Sequence, residues 1–145
     1  MDIGAISKHL YNDTVNKAVK YVKSLVNEEE LAVYINNYNW DEGFEVPEAV
    51  LSNENCTKSV ALRVFELADG MTYLESKSDC TGLEDWTEFI SKLYHRIITG
   101  DFKKGEVAFK PDLTKVQLYK LKKVLQEDEL IFITEIEGKE CNIMI

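Results

Sequence analysis

The sequence predicts a mainly α-helical domain, and three observations carry that prediction. Apolar residues recur at spacings of three and four along most of the chain. Capping residues stand just before those runs, and glycine or proline closes them. Six or so helices joined by short connections fit stacked αα-hairpins or an irregular helical bundle, with a small β-hairpin at the C-terminal end. At 145 residues the chain forms one helical domain over 1–145. Its 45% apolar and 30% charged residues are ordinary globular usage.

The first predicted helix spans residues 13–26, with Asp13 as its cap. Val15, Val19, Val22 and Val26 form one face of it, and Lys17, Lys20 and Lys23 the other. Asn27 opens a second helix, and Glu30 completes an Asn-x-x-Glu capping pattern. Glu28, Glu29 and Glu30 suit the positive end of the helix dipole, while Leu31, Tyr34, Ile35 and Tyr38 supply the apolar stripe. Residues 47–52 form a third helix with Pro47 in its first turn. A fourth runs over residues 57–68, with Val60, Ala61, Val64, Phe65 and Ala68 inward and Gly70 as its stop.

Residues 71–80 read equally as a helical turn or a loop. Thr81 and Glu84 make a capping box for a long fifth helix whose inner face is Trp86, Phe89, Ile90, Leu93 and Ile97, ended by Gly100. Residues 101–111 are a connection with an extended piece near 107–109. Asp112 caps a sixth helix over residues 113–125. The β-branched tail over residues 129–145 reads as two strands about a turn at Gly138-Lys139; the alternative is a further helix and an unpaired end. A lone hairpin is marginal, so it must pack on the helices or pair with another strand.

Catalytic motifs are absent from the sequence. His9 and His95 fit no metal-ligand spacing, and no phosphate loop, nucleophile elbow or dinucleotide fingerprint occurs. Carboxylate pairs such as Asp41 with Glu45 arise by chance among 26 acidic residues. No enzyme, cofactor or metal is therefore expected. Cys56, Cys80 and Cys141 are odd in number and widely spaced, which fits free thiols in a reducing compartment. The N-terminal residues lack a signal-peptide pattern, and no window approaches a membrane span. The cytoplasm is the expected location.

Charge is unevenly distributed. The net value is −9, yet residues 24–57 hold eight carboxylates and no lysine or arginine. Such a chain disfavours nucleic acid, whose phosphates need basic partners, and suits a basic protein. The stretch YNWDEGFEVP lies inside this block. Asn39, Trp40, Asp41, Gly43, Phe44 and Pro47 have the chemistry of a corner between helices: turn formers, a helix starter and two aromatic plugs. Trp40 and Phe44 also have the character of binding anchors. Glu42, Glu45 and Glu48 have no evident part in building the corner.

The runs NYNWDEGFEVPEAVLSNENC and SVALRVFELADG, with WTEFISKLYHRIITG after them, resemble a bacterial family, the domain of unknown function numbered 4274. The likeness covers most of residues 28–125. That family implies no activity. Small acidic proteins of this build are similar by type to immunity proteins of polymorphic toxin and contact-dependent inhibition systems. This similarity implies a protein partner, a basic toxin domain, bound through a carboxylate-rich face. Glu42, Glu45, Glu48 and Glu54 would steer and pair with it, and Asp69 and Asp79 would extend the face. The alternative is a helical adaptor that holds a peptide or partner helix in an apolar groove.

Overall fold

The computed structural model describes residues 1–77 and 83–145. Among these residues the chain is helical and has no β-sheet. The α-helices are α1 (Ile3–Asn12), α2 (Val15–Ser24), α3 (Glu28–Asn36), α4 (Glu45–Ser52), α5 (Lys58–Leu67), α6 (Gly70–Glu75), α7 (Glu84–Ile98) and α8 (Lys115–Val124). Two 3-10 segments, Trp40–Glu42 and Glu127–Ile133, complete the set.

Odd-numbered helices pack on one another in the order α1, α3, α5, α7. Even-numbered helices form a second layer from the pairs α2–α4 and α6–α8, and α1–α2, α3–α4 and α5–α6 join the layers. The αα-hairpin stacking read from the sequence is therefore present over the first helices. The centre is more enclosed than a one-sided stripe predicts. Leu31, Ala32, Val33, Tyr34 and Ile35 are buried in succession, because α3 has neighbours on several sides.

Several boundaries differ from the sequence reading for local reasons. The valine-rich helix starts after Thr14, whose hydroxyl accepts from the Lys17 N–H, so Asp13 is not its cap. Asp13 instead follows α1, a helix absent from the sequence reading and capped by Asp2. Val26 lies beyond α2 and is exposed. Likewise α8 begins at a Thr114–Gln117 capping box, two residues past Asp112. After α5 it is Asp69 that takes the left-handed conformation, at φ 65°. Gly70 serves another purpose: a Cβ there would collide with the Phe65 ring. At the end of α7, Gly100 has φ 78°, and the Gly100 and Asp101 N–H groups donate to Ile97 and Arg96, a Schellman closure. The Thr81 capping box and Cys80 lie outside the described residues. Cys56 and Cys141 are buried free thiols.

The C-terminal hairpin is not formed. A two-residue turn with glycine first requires φ > 0 there, and the positive-φ glycines are Gly43 and Gly100. Gly138 instead permits close approach of two backbones, since a Cβ would strike the Glu106 carbonyl. Ile136 and Phe109 exchange both backbone hydrogen bonds, at 2.8 and 2.9 Å, and Lys139 bridges Val107. The tail thus pairs with the extended piece at 107–109. Upstream, Glu127–Ile133 turns inward and stacks Phe132 on Tyr94, centroids 5.3 Å apart. Glu129 is buried there. Its carboxylate pairs with Lys77 and accepts from the Tyr94 hydroxyl at 2.6 Å and the Gln126 N–H at 2.9 Å. Burial alone would raise its pKa, but these donors outweigh that and hold it below the usual value.

Two polar clips fix the layers. Asn53 donates to the Val22 and Leu25 carbonyls at 2.9 and 2.8 Å, closing the C-terminus of α2 from the α4–α5 turn. Glu28, at the start of α3, accepts from the Glu106 N–H at 2.6 Å, the Val107 N–H at 3.2 Å and the Thr57 hydroxyl. Gly105 leaves the room this needs, because a Cβ would collide with the Glu28 carboxylate and the Thr57 methyl.

Glu28→Ala is expected to cost about 2–3 kcal/mol, the range for hydrogen bonds to a charged group. Urea unfolding measures that loss, and the Glu106 and Val107 amides should lose exchange protection first. Glu129 has a depressed pKa, so its stabilisation is present above about pH 4.3 and is lost as pH falls through the folded value. Glu129→Gln should flatten the acid limb of a stability–pH curve.

Candidate protein-binding groove

The corner after α3 is built residue by residue. Asn39 opens the Trp40–Glu42 turn by accepting from the Asp41 N–H at 3.1 Å. Gly43 follows at φ 94°, a conformation open to glycine at little cost. Tyr38 donates its hydroxyl to the Gly43 carbonyl at 2.8 Å and closes the loop on itself. Burial, reinforced by Glu42 and Glu45, pushes the Tyr38 phenol up to about 12, so it remains a donor at neutral pH. Phe44 stacks on Phe89 of α7 at 4.7 Å, and Trp40 meets the same ring edge-on at 6.5 Å. Pro47 is buried in the first turn of α4, where its missing N–H breaks no helical bond.

Trp40 and Phe44 are also half-exposed, and their outer faces begin an apolar groove of about 430 Å³. Leu67 and Ala68 at the end of α5 and Leu83 and Trp86 at the start of α7 complete its walls. Trp86 is held by its indole N–H, which donates to the Ala68 carbonyl at 2.7 Å. Asp69 stands in the wall and accepts from the Thr72 hydroxyl at 2.7 Å. No lysine or arginine lines the groove among the described residues. Asp41 and Glu42 beside Trp40, and Glu84 and Asp85 beside Leu83 and Trp86, are exposed carboxylates. An apolar slot with a carboxylate, Asp69, in its wall can seat an apolar side chain from a positively charged protein segment.

The acidic residues expected to form one face are dispersed. Asp69 borders the groove. Glu42 lines a different cavity, with His9 and Tyr34. Glu48 lies in a shallow depression beside Lys92 and Arg96. Glu45 and Glu54 are exposed and line none of these three, and Asp79 lies outside the described residues. Leu67, Leu83 and Trp86 were not anticipated as groove residues. The available signal was apolar residues at helix ends, off the inward face: Leu67 is 37% and Leu83 59% exposed. Among the described residues no group of three or more His, Cys, Asp and Glu could hold a metal ion. No helix among them is long and apolar enough to cross a membrane.

Comparison with known proteins places this region in context. The family model described as "Domain of unknown function (DUF4274)" matches residues 26–98. That span runs from the residue before Asn27 to the end of α7, and so contains the corner, both clip residues, Glu28 and Asn53, and every wall of the groove. No curated protein and no solved structure matches the chain.

Trp40→Ala should separate architecture from display. Loss of its packing on Phe89 and Tyr38 is expected to cost about 2–3 kcal/mol, less than a fully buried tryptophan. Glu45→Gln should stay within about 0.5 kcal/mol. Thermal and urea unfolding of the two variants makes the comparison.

Proposed function

The chain belongs to the DUF4274 family, whose description brings no chemistry with it, and from its geometry we propose a non-catalytic protein-binding module for a basic partner. The observation that carries this reading is the groove of Trp40, Phe44, Leu67 and Trp86, with Asp69 in its wall and no basic residue lining it among the described residues. Its volume falls in the range of sites that receive a side chain or small ligand. Apolar anchors in such a slot set the dissociation rate, while surrounding carboxylates accelerate encounter. Residues 24–57, without lysine or arginine, supply a negative field around the corner.

The specific form of this reading is an immunity protein that neutralises a basic toxin domain in the cytoplasm. The acidic block and Asp69 in the groove wall support it, because a toxin that grips nucleic acid must offer basic side chains. A helical adaptor that holds an apolar peptide is favoured by the groove's predominantly apolar walls. The two readings differ in salt dependence: the first weakens strongly as salt rises, the second hardly at all.

Co-expression with a toxin encoded immediately upstream tests the first form. The chain should protect growth and co-purify with the toxin domain. Glu45→Lys with Glu54→Lys should slow association about tenfold, and Leu67→Glu with Leu83→Glu should accelerate dissociation by a similar factor. A complex that forms and protects equally well in both double variants places the interface elsewhere. A purified toxin domain that the chain neither binds nor inhibits removes the immunity reading.

A further inference from the structure

A second cavity, of about 230 Å³, lies on the other side of the corner between α1, α2 and α3. Its walls include Leu10, Val15, Ala18 and Val46, and its polar lining comes from His9, Tyr11, Asp13, Tyr34, Tyr38 and Glu42, beside Asn37 and Asn39. Tyr34 singles it out. The residue is only 1% exposed, yet its hydroxyl makes no hydrogen bond to any described residue. No fully buried side-chain nitrogen or oxygen among the described residues lacks a partner. The small remaining exposure of Tyr34 is therefore at its oxygen, and the space it meets is this cavity. A buried phenol without a protein partner requires one from a ligand or solvent.

The donor and acceptor inventory indicates what kind of ligand. The Asn37 amide is engaged, donating to the Val33 and Ile143 carbonyls and accepting from the Ile145 N–H. Tyr11 donates to the Ile145 carbonyl at 3.2 Å and Tyr38 to the Gly43 carbonyl at 2.8 Å. His9 has Nδ1 2.7 Å from the Asp13 carboxylate and its ring stacked on Tyr21 at 3.8 Å. The donors left are the Tyr34 hydroxyl and the exposed Asn39 amide. The acceptors left are more numerous: the phenol oxygens of Tyr34 and Tyr38, the second oxygen of Asp13 and the Glu42 carboxylate. Among the described residues two carboxylates and no lysine or arginine line the space. The charged groups that act on Tyr21, Tyr34 and Tyr38 are likewise all acidic: Asp2, Asp13, Glu30, Glu42 and Glu45.

We propose that this cavity binds an alkylammonium group, held by the Tyr34 and Tyr38 phenols and the Asp13 and Glu42 carboxylates around an apolar wall. An ammonium brings donors and no acceptor, which complements the acceptors left over. The cavity's aliphatic residues, Leu10, Val15, Ala18 and Val46, accommodate the carbon chain. The cation comes either from a lysine side chain of a protein or from a free small amine. The site is separate from the groove and does not depend on the binding role proposed for it.

The test uses the full chain with ¹³C-labelled tyrosine, titrated with n-butylammonium and, in parallel, with neutral n-butanol. Saturable shifts of the Tyr34 and Tyr38 ring signals with the ammonium, and much smaller ones with the alcohol, are expected. Tyr34→Phe and Glu42→Gln should each weaken ammonium binding about five- to tenfold. Both should keep the wild-type melting profile, since the first removes an unpartnered hydroxyl and the second alters an exposed side chain. N-acetyl-lysine methylamide that binds at least as tightly as butylammonium assigns the site to a lysine side chain. Tighter binding of butylammonium assigns it to a free amine, and tighter binding of tetramethylammonium, which has no N–H to donate, overturns the proposal. Equal response to butylammonium and butanol, or ammonium binding unchanged in both variants, overturns the proposal.

Discussion

The carboxylate of Glu28 joins the two parts of this molecule. Among the described residues α1 to α7 pack helix on helix, while much of residues 101–145 is irregular backbone carrying polar groups that helices would otherwise satisfy internally. Glu28 receives two of those backbone N–H groups, at Glu106 and Val107, and at the same time takes the Thr57 hydroxyl just before α5. With 106–107 fixed, the next residues of that segment become a template. Ala108 and Phe109 then pair with Lys139 and Ile136, and Glu29 beside Glu28 holds the Lys139 ammonium at 2.9 Å. A charge at the head of a central helix thus organises a tail more than a hundred residues away. The glycines at 105 and 138 follow from it, since each leaves room for a close approach that a Cβ would block.

The helices were legible in the sequence because their apolar spacing is local. α2, α3, α5, α7 and α8 stand where the periodicity places them, to within a few residues. α1 was not read: its core-facing residues are few, Ile3, Ile6 and Leu10, and of these Ile6 alone is fully buried. The tail was misread for a different reason. β-branched residues such as Ile131, Ile133 and Ile136 favour strands, yet along the 3-10 path Phe132 meets Phe65 of α5 and Tyr94 of α7 while Glu129 is held by Tyr94 and Lys77. Tertiary contacts therefore overrode propensity. The role of the glutamates at 28 and 29 was hidden similarly: the helix dipole explains acids at that position, so nothing in the local pattern signalled long-range partners.

The candidate sites were legible only in part. The corner was identifiable as architecture, because Asn39, Gly43 and Pro47 are each a residue type with a specific backbone reason. What it displays was not identifiable, since groove and cavity are both assembled across elements. Trp86 reaches the groove from α7, and His9 and Tyr34 meet across α1 and α3. The one local hint for the cavity was the spacing of His9 and Asp13, one helical turn apart. The acidic block was read as a single face, but a run of carboxylates winds around helices and turns. Glu42 and Glu48 consequently look into different depressions.

The corner gains a second meaning from this arrangement. Tyr38 and Trp40 are two residues apart and their rings meet edge-on at 5.4 Å, yet Tyr38 lines the cavity and Trp40 the groove. The wall between the two sites is therefore these two rings and the Gly43 turn that Tyr38 ties down. The contact extends in both directions: Tyr34 lies 6.4 Å from Tyr38, and Phe89 lies 6.5 Å from Trp40. A close-packed wall of this kind cannot yield on one side without displacing groups on the other. Any ligand that moved the Tyr38 ring would act first on its bond to the Gly43 carbonyl, and through that turn on Trp40 and Phe44. The sequence YNWDEGFEVP is thus neither a site nor a mere bend; it is the partition whose two faces define both candidate sites.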